Sequence, residues 1–193
     1  MNEIDALTRS PDLMSRGDTA LLVIDVQQRL LPSIPDGERI VWNIRRLIDG
    51  AETLQLPVVA TEQYPKGLGV TVSPLAEKLG EVPSKLMFSC RECAAIFRQL
   101  VDQGRHKILV AGIEAHVCVQ QTVLDLLSEG FRIYLAVDAV ASRFEIDYHT
   151  AVRRMESAGA TLTTTEAALF EWCEVAGTSE FKQISQLVRE QQP

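Results

Sequence analysis

The stretch TALLVID, Thr19 to Asp25, is apolar without interruption and ends on an acid. A strand with one face in water alternates apolar and polar residues. A continuous run suits a strand covered on both faces, the normal state of a parallel sheet. Parallel neighbours cannot be joined by a hairpin and need a crossover, usually a helix. The rest of the chain supplies that alternation. Glu38 to Leu54 carries Val41, Ile44, Ile48, Ala51 and Leu54 at helical spacing. LPVVATEQY is a second strand, and SKLMF (Ser84–Phe88) reads as a short edge strand. Cys93 to Gln103 is a helix with Phe97, Leu100 and Val101 on one face, closed by Gly104. HKILVAGI is the next strand, followed by a helix from Val117 to Glu129 closed by Gly130. FRIYLAVDAV is another strand, Asp147 to Ser157 a helix closed by Gly159, and ATLTTT the last strand. Thr165 to Val175 reads as a helix capped by Thr165 or a neighbour. A terminal helix carries Phe181, Ile184, Leu187 and Val188.

This order means βαβ units with right-handed crossovers. The expected fold is a three-layer α/β/α sandwich around a central, mainly parallel, roughly six-stranded sheet of Rossmann-like topology. No linker or repeat divides the chain, so residues 1–193 form one domain, with an N-terminal arm over residues 1–16. Tyr64 to Gly80, rich in Gly and Pro, reads as a functional loop with a short helix. In such sheets ligands bind outside the carboxyl ends of the strands. Residues that carry chemistry should therefore follow strands.

The formal net charge is −7, which argues against a nucleic-acid partner, since such proteins carry a basic footprint. No apolar run approaches the roughly 20 residues that span a bilayer. The start MNEIDALTRSPDLM lacks the basic and apolar regions of a signal peptide, and the expected compartment is the cytoplasm. Four cysteines (Cys90, Cys93, Cys118, Cys173) are too few for a disulfide framework and read as free thiols.

Several polar residues follow strands. Asp25 ends the first, as a turn cap or as something more. Glu62, Gln63 and Tyr64 end the second. Lys85 lies among apolar neighbours, where desolvation lowers a lysine pKa unless an acid is near; it also reads as an ordinary edge-strand lysine. Cys118 follows the fourth strand as a helix begins. A helix N-terminus favours a thiolate and can stabilise an oxyanion. Asp138 ends the next strand and suits a structural role, bonding loop amides. Cys90 and Cys93 form C-x-x-C, but no second pair or adjacent histidine completes a zinc site. His106, His116 and His149 lack metal-ligand spacing. Gly112 marks a tight approach or turn, and the loop GLG lacks a phosphate-cradle pattern.

VIDVQ with Asp25, a later Lys85, and GIEAHVC leading to Cys118 together resemble the isochorismatase-like cysteine hydrolases. TEQYPKGLG, GIEAHVCVQQTVLDLL and TTTEAALFE resemble most the isochorismatase domain-containing proteins. The resemblance runs from about Thr19 to the last helix. It implies a triad of Asp25, Lys85 and Cys118, and a cis peptide between Ile113 and Glu114. The Glu114 and Cys118 N–H groups would then form an oxyanion hole. Nicotinamidases of this superfamily carry an Asp-x-His metal motif where this chain reads TEQYPKG, so no metal or other cofactor is expected. Isochorismatases that cleave a vinyl ether lack the nucleophilic cysteine, so Cys118 argues for a different chemistry. The implied reaction is cleavage of a C–N bond in a small amide or ureide through a Cys118 thioester. Gln28, Gln63, Tyr64, Phe88 and His116 are candidate substrate contacts, and the resemblance implies a homo-oligomer. Two other readings stand beside it. One is a catalytically silent scaffold, the other a thiol redox sensor with Cys90 or Cys93 as resolver.

Overall fold

The computed structural model describes residues 8–193. Six strands form one wholly parallel sheet: β1 (Thr19–Ile24), β2 (Val58–Gln63), β3 (Ser84–Lys85), β4 (Lys107–Ile113), β5 (Arg132–Ala141) and β6 (Thr161–Thr163). Their spatial order is β3-β2-β1-β4-β5-β6. The helices are α1 (Gly37–Thr53), α2 (Pro65–Leu68), α3 (Ser73–Ala76), α4 (Ala94–Asp102), α5 (Gln120–Ser128), α6 (Glu145–Ser157), α7 (Thr165–Cys173) and α8 (Ser179–Val188).

The unbroken apolarity of β1 has a direct cause. Leu21 and Val23 pack with Ile44, Leu47, Leu169, Trp172 and Ile184 of α1, α7 and α8. Ala20, Leu22 and Ile24 face the other way, into Phe97, Leu100, Val123, Leu126 and Met155 of α4, α5 and α6. Every residue of β1 is buried. The three-layer sandwich stands as expected. None of its helices is long and apolar enough to cross a membrane among the described residues.

The chain leaves β1 toward β2 and returns to β4 on the other side. Strand order therefore reverses between β1 and β4, and open α/β sheets bind ligands at the carboxyl ends of such a switch point. Gly112 faces Ile24 across this junction, at φ 128°. A Cβ there would lie 2.1 Å from the Ile24 carbonyl oxygen. Backbone on both sides cannot yield without opening the sheet. Gly112→Ala should destabilise the protein by about 3 kcal/mol, since overpacking and an unfavourable φ act together. A denaturant midpoint equal to that of the wild type would contradict this.

Four local expectations are corrected. The edge strand ends at Lys85 and does not run to Phe88. Beyond it the Lys85 ammonium takes the Met87 and Phe88 carbonyls, and the Glu92 carboxylate takes the Leu86 and Met87 N–H groups, so no ladder can continue. The helix expected from Val117 is preceded by a wide π-helical turn, Ala115–Val119, closed by Val119 N–H on the Glu114 carbonyl. α6 begins at Glu145, earlier than its apolar spacing suggested, because its first turn uses Glu145 and Asp147 against the helix dipole. α7, capped by Thr164 beside Thr165 as expected, stops at Cys173 and does not run to Val175.

The described part of the N-terminal arm, residues 8–16, is tied to the amino edge of the sheet. Met14 is fully buried, Lys107 Nζ donates to the Leu13 carbonyl at 2.6 Å, and Tyr134 Oη donates to that of Asp12 at 2.6 Å. Residues 1–7 lie outside the described residues. At the opposite edge, the loop after β2 folds back on the chain after β1. Gln28 N–H donates to Val70, Arg29 N–H to Leu68, and Val72 N–H to Val26. Glu62 fastens the same loop by accepting from both N–H and Oγ1 of Thr71, at 2.6 and 2.8 Å.

Candidate active site

Asp25 follows β1 directly, fully buried, with φ at 54°. Aspartate tolerates this left-handed conformation better than most residues. Its Oδ2 accepts from Lys85 Nζ at 2.6 Å, and its Oδ1 from Thr61 Oγ1 at 2.8 Å. Register explains the second contact. Thr61 pairs with Ile24, one residue before Asp25, and the Asp25 N–H donates to the Thr61 carbonyl.

Lys85 arrives from the edge strand with its side chain buried. Besides Asp25 it donates to Gln63 Oε1 at 2.8 Å and the Phe88 carbonyl at 2.9 Å, with the Met87 carbonyl farther, at 3.3 Å. Burial works against its charge. The attraction of Asp25 outweighs it and holds the ammonium above the ordinary lysine value. Lys85 is therefore not a solvated edge-strand lysine.

Cys118 comes from the other side of the switch point, in the wide turn after β4, and is 5% exposed. Its thiol lies within reach of the Asp25 charge. Burial, and then the negative charge of Asp25, push the thiol well above the ordinary cysteine range despite Lys85. A helix N-terminus favours a thiolate, but here burial and the carboxylate act the other way. The resting group is a thiol beside a carboxylate, because desolvation and that carboxylate dominate.

The Ile113–Glu114 peptide bond is cis. The Glu114 side chain is buried and gripped by Arg143, with Nε at 3.0 Å, Nη2 at 2.7 Å and the Arg143 N–H at 3.0 Å. Burial alone would raise its pKa, but the arginine outweighs burial and holds it low. The Glu114 carbonyl accepts from Val117 and Val119 N–H. The peptide leading to Cys118 is thus fixed from both its side chain and its backbone.

The remaining candidates occupy different places. Gln63 turns inward and joins Lys85 to the Leu86 carbonyl. His116 is half-buried, with Nδ1 2.9 Å from Ser142 Oγ. Tyr64 and Phe88 are about half exposed beside Lys85, whose carbonyl accepts from Tyr64 N–H. Gln28 lies exposed, while its neighbour Gln27 is fully buried and bridges β2 to the loop through the Gln63 and Gly69 carbonyls. Asp138 accepts from Thr165 N–H and Oγ1, fastening the start of α7. Sequence reasoning missed Gln27, Thr61 and Thr122. A polar residue inside an otherwise apolar run is the only signal they leave. No three His, Cys, Asp or Glu side chains gather as metal ligands among the described residues.

A family model described as the isochorismatase domain matches residues 19–167, a span that contains Asp25, Lys85 and Cys118. The chain belongs to the isochorismatase family. It is similar to isochorismatase domain-containing protein 2 of Pongo abelii, 35% identical over 179 residues, covering 92% of this chain and 86% of that one. This agrees with the branch that TEQYPKGLG and GIEAHVC resemble. Among solved structures it is similar to one described as MAR1 ribonuclease from Caenorhabditis elegans. That match has a TM-score of 0.87, 38% identity and 94% coverage of both chains. It also shares its fold with the Escherichia coli YcaC gene product, described as an octameric hydrolase of unknown specificity. There the TM-score is 0.83 at 24% identity, covering 93% of this chain and 92% of that one. The isochorismatase-family sheet thus carries, in this chain, a buried acid, a buried lysine and a buried thiol at its switch point.

Proposed function

We propose that this isochorismatase-family protein is a cysteine hydrolase that cleaves a C–N bond of a small amide, ureide or related compound. The observation that carries the reading is Asp25, buried between a charged Lys85 and a protonated Cys118 thiol. A thiol with no base beside it is a weak nucleophile, and a buried carboxylate near it supplies the base.

As Sγ bonds to the substrate carbonyl carbon, Asp25 takes the thiol proton. The carbonyl electrons move onto oxygen, which the Glu114 and Cys118 N–H groups receive. One such donor is typically worth roughly 3–4 kcal/mol of barrier. The C–N bond then breaks, Asp25 gives its proton to the leaving nitrogen, and a thioester remains on Cys118. Water adds to that thioester while Asp25 takes one of its protons. Collapse releases the acid and returns the proton to Sγ. Lys85 holds Asp25 in place and keeps negative charge favourable around it.

The C. elegans neighbour bears a ribonuclease name. Binding RNA draws on cations free to meet phosphates. Here Lys85 and Arg143 are engaged by Asp25 and Glu114, and the chain carries net −7, which supports a small-molecule substrate. A redox role gains no support either, since burial raises the thiols of Cys90 and Cys93. The test is a panel of small amides and ureides, with a short RNA included. Products are read by mass spectrometry alongside the mass of the Cys118 peptide. An acyl adduct on Cys118, with turnover lost in Cys118→Ala, is the expected result. Turnover that survives Cys118→Ala, or that occurs on RNA alone, overturns the proposal.

We also propose self-association. YcaC is described as octameric, and in this chain Leu86, Met87, Phe88 and Phe144 stand exposed on loops bonded to Lys85 and Glu114, with Ile146 exposed in the first turn of α6. Consecutive exposed apolar residues, as at Leu86–Phe88, mark association surfaces. Light scattering should report more than one copy per particle, and a monomer at working concentration contradicts the idea.

A further inference from the structure

Cys90 takes no part in the scheme above, yet it touches both sides of it. The Thr61 hydroxyl has a single hydrogen, and a carboxylate can only accept, so that hydrogen goes to Asp25 Oδ1. Cys90 Sγ lies 3.4 Å from the same hydroxyl oxygen. With the threonine hydrogen committed, the Cys90 thiol is the donor. It keeps its proton: burial, followed by the charge of Asp25, pushes it up to about 12. The backbone of Cys90 makes a second bridge. Its N–H donates to Thr122 Oγ1 at 2.9 Å, and the Thr122 hydroxyl donates to the Cys118 carbonyl at 2.7 Å. Thr61, Cys90 and Thr122 are all buried.

We propose that Cys90 is a positioning residue, which fixes Asp25 through Thr61 and the peptide of Cys118 through Thr122. The inference rests on reading Asp25 as the base and Cys118 as the nucleophile. A carboxylate held at one oxygen by Lys85 can still rotate, and a second donor on the other oxygen fixes its plane. Threonine suits both bridges, because β-branching restricts its first torsion. Groups facing Asp25 come from β2 (Thr61), β3 (Lys85), the turn before α4 (Cys90) and the turn after β4 (Cys118). Among these, the ammonium and both thiols are held protonated through neutral pH, so a change in the Cys118 pH profile reports on Asp25.

The probe is iodoacetamide, applied to the full-length protein, with Cys118 labelling followed against pH by mass spectrometry. Cys90→Ala should slow Cys118 labelling about tenfold, the scale expected when reacting groups shift by a fraction of an ångström, and Cys90→Ser should restore it. Thr61→Val removes a donor from the carboxylate and leaves a stronger base, so the acid limb of the profile should move to higher pH. Thr61→Ser should return it. A merely structural role would not move that limb. Wild-type rate and limb in folded Cys90→Ala and Thr61→Val overturn the inference. If Cys90→Ala does not fold, the Thr61→Val and Thr61→Ser pair decides alone. Asp25→Asn separates the two levels. If it leaves the Cys118 profile unchanged, the base assignment itself fails. If it changes the profile while the Cys90 and Thr61 variants do not, only this inference fails.

Discussion

In the wild-type protein, the rate of Cys118 alkylation should be flat across neutral pH; in Asp25→Asn it should climb roughly tenfold per pH unit. The difference follows from proton counting. Asp25 lies beside Cys118, whose thiol keeps its proton at neutral pH. The reactive arrangement, with the proton on the carboxylate and charge on sulfur, contains the same number of protons as the resting one. Its share is therefore independent of pH while the pair keeps that single proton. Asparagine accepts no proton, so thiolate then forms only by loss to solvent, with unit slope. Lys85 does not blur the comparison, because Asp25 holds it charged above the ordinary lysine value. Cys93 is an internal control: partly exposed, raised mainly by burial, and expected to show unit slope in both proteins. Turnover of any substrate should fall about 10²- to 10⁴-fold in Asp25→Asn, the usual contribution of a positioned base. A wild-type Cys118 profile parallel to that of Cys93 would remove Asp25 from the mechanism.

Why the sheet was readable and parts of the site were not comes down to how many residues share a signal. β1 and β4 announce themselves because every residue in them is buried, on one face or the other. Asp25 and Cys118 inherit that clarity, since each directly follows or closely trails such a run. β3 has two residues, and its end is set by the Lys85 ammonium and the Glu92 carboxylate, neither of which leaves a periodic trace. The wide turn at Cys118 replaces the first turn of the expected helix for a similar reason: apolar spacing does not distinguish an i→i−4 bond from an i→i−5 one. Thr61 is the clearest case. Its one local mark is a polar residue among apolar ones, and it matters only because β2 lies beside β1 in a register that sets it against Asp25. Contacts created by strand order become visible only with the fold.

Lys85→Met should lower stability by about 3–5 kcal/mol at pH 7, as expected when one partner of a buried ion pair is removed. Asp25 would then sit fully buried as a charge, without its cation and with Thr61 still donating to it. The same principle predicts recovery. Asp25→Asn combined with Lys85→Met removes both charges and should regain most of the loss, because the native pair itself repays little more than its own desolvation. Activity should not return with stability. Asp25→Asn alone should fall between them, since Lys85 keeps Gln63 and the Phe88 carbonyl as acceptors. The pH window has a definite sign. The folded lysine value is raised above 10.5, so the stabilisation is complete below that pH and is lost as pH rises through the folded value. Urea unfolding at pH 7 therefore reads the full effect. A Lys85→Met protein as stable as the wild type, or a double variant no better than the single, would mean that the pair is not a buried charge pair. The Cys118 thiol would then lack the charged neighbour on which the proposed proton transfer depends.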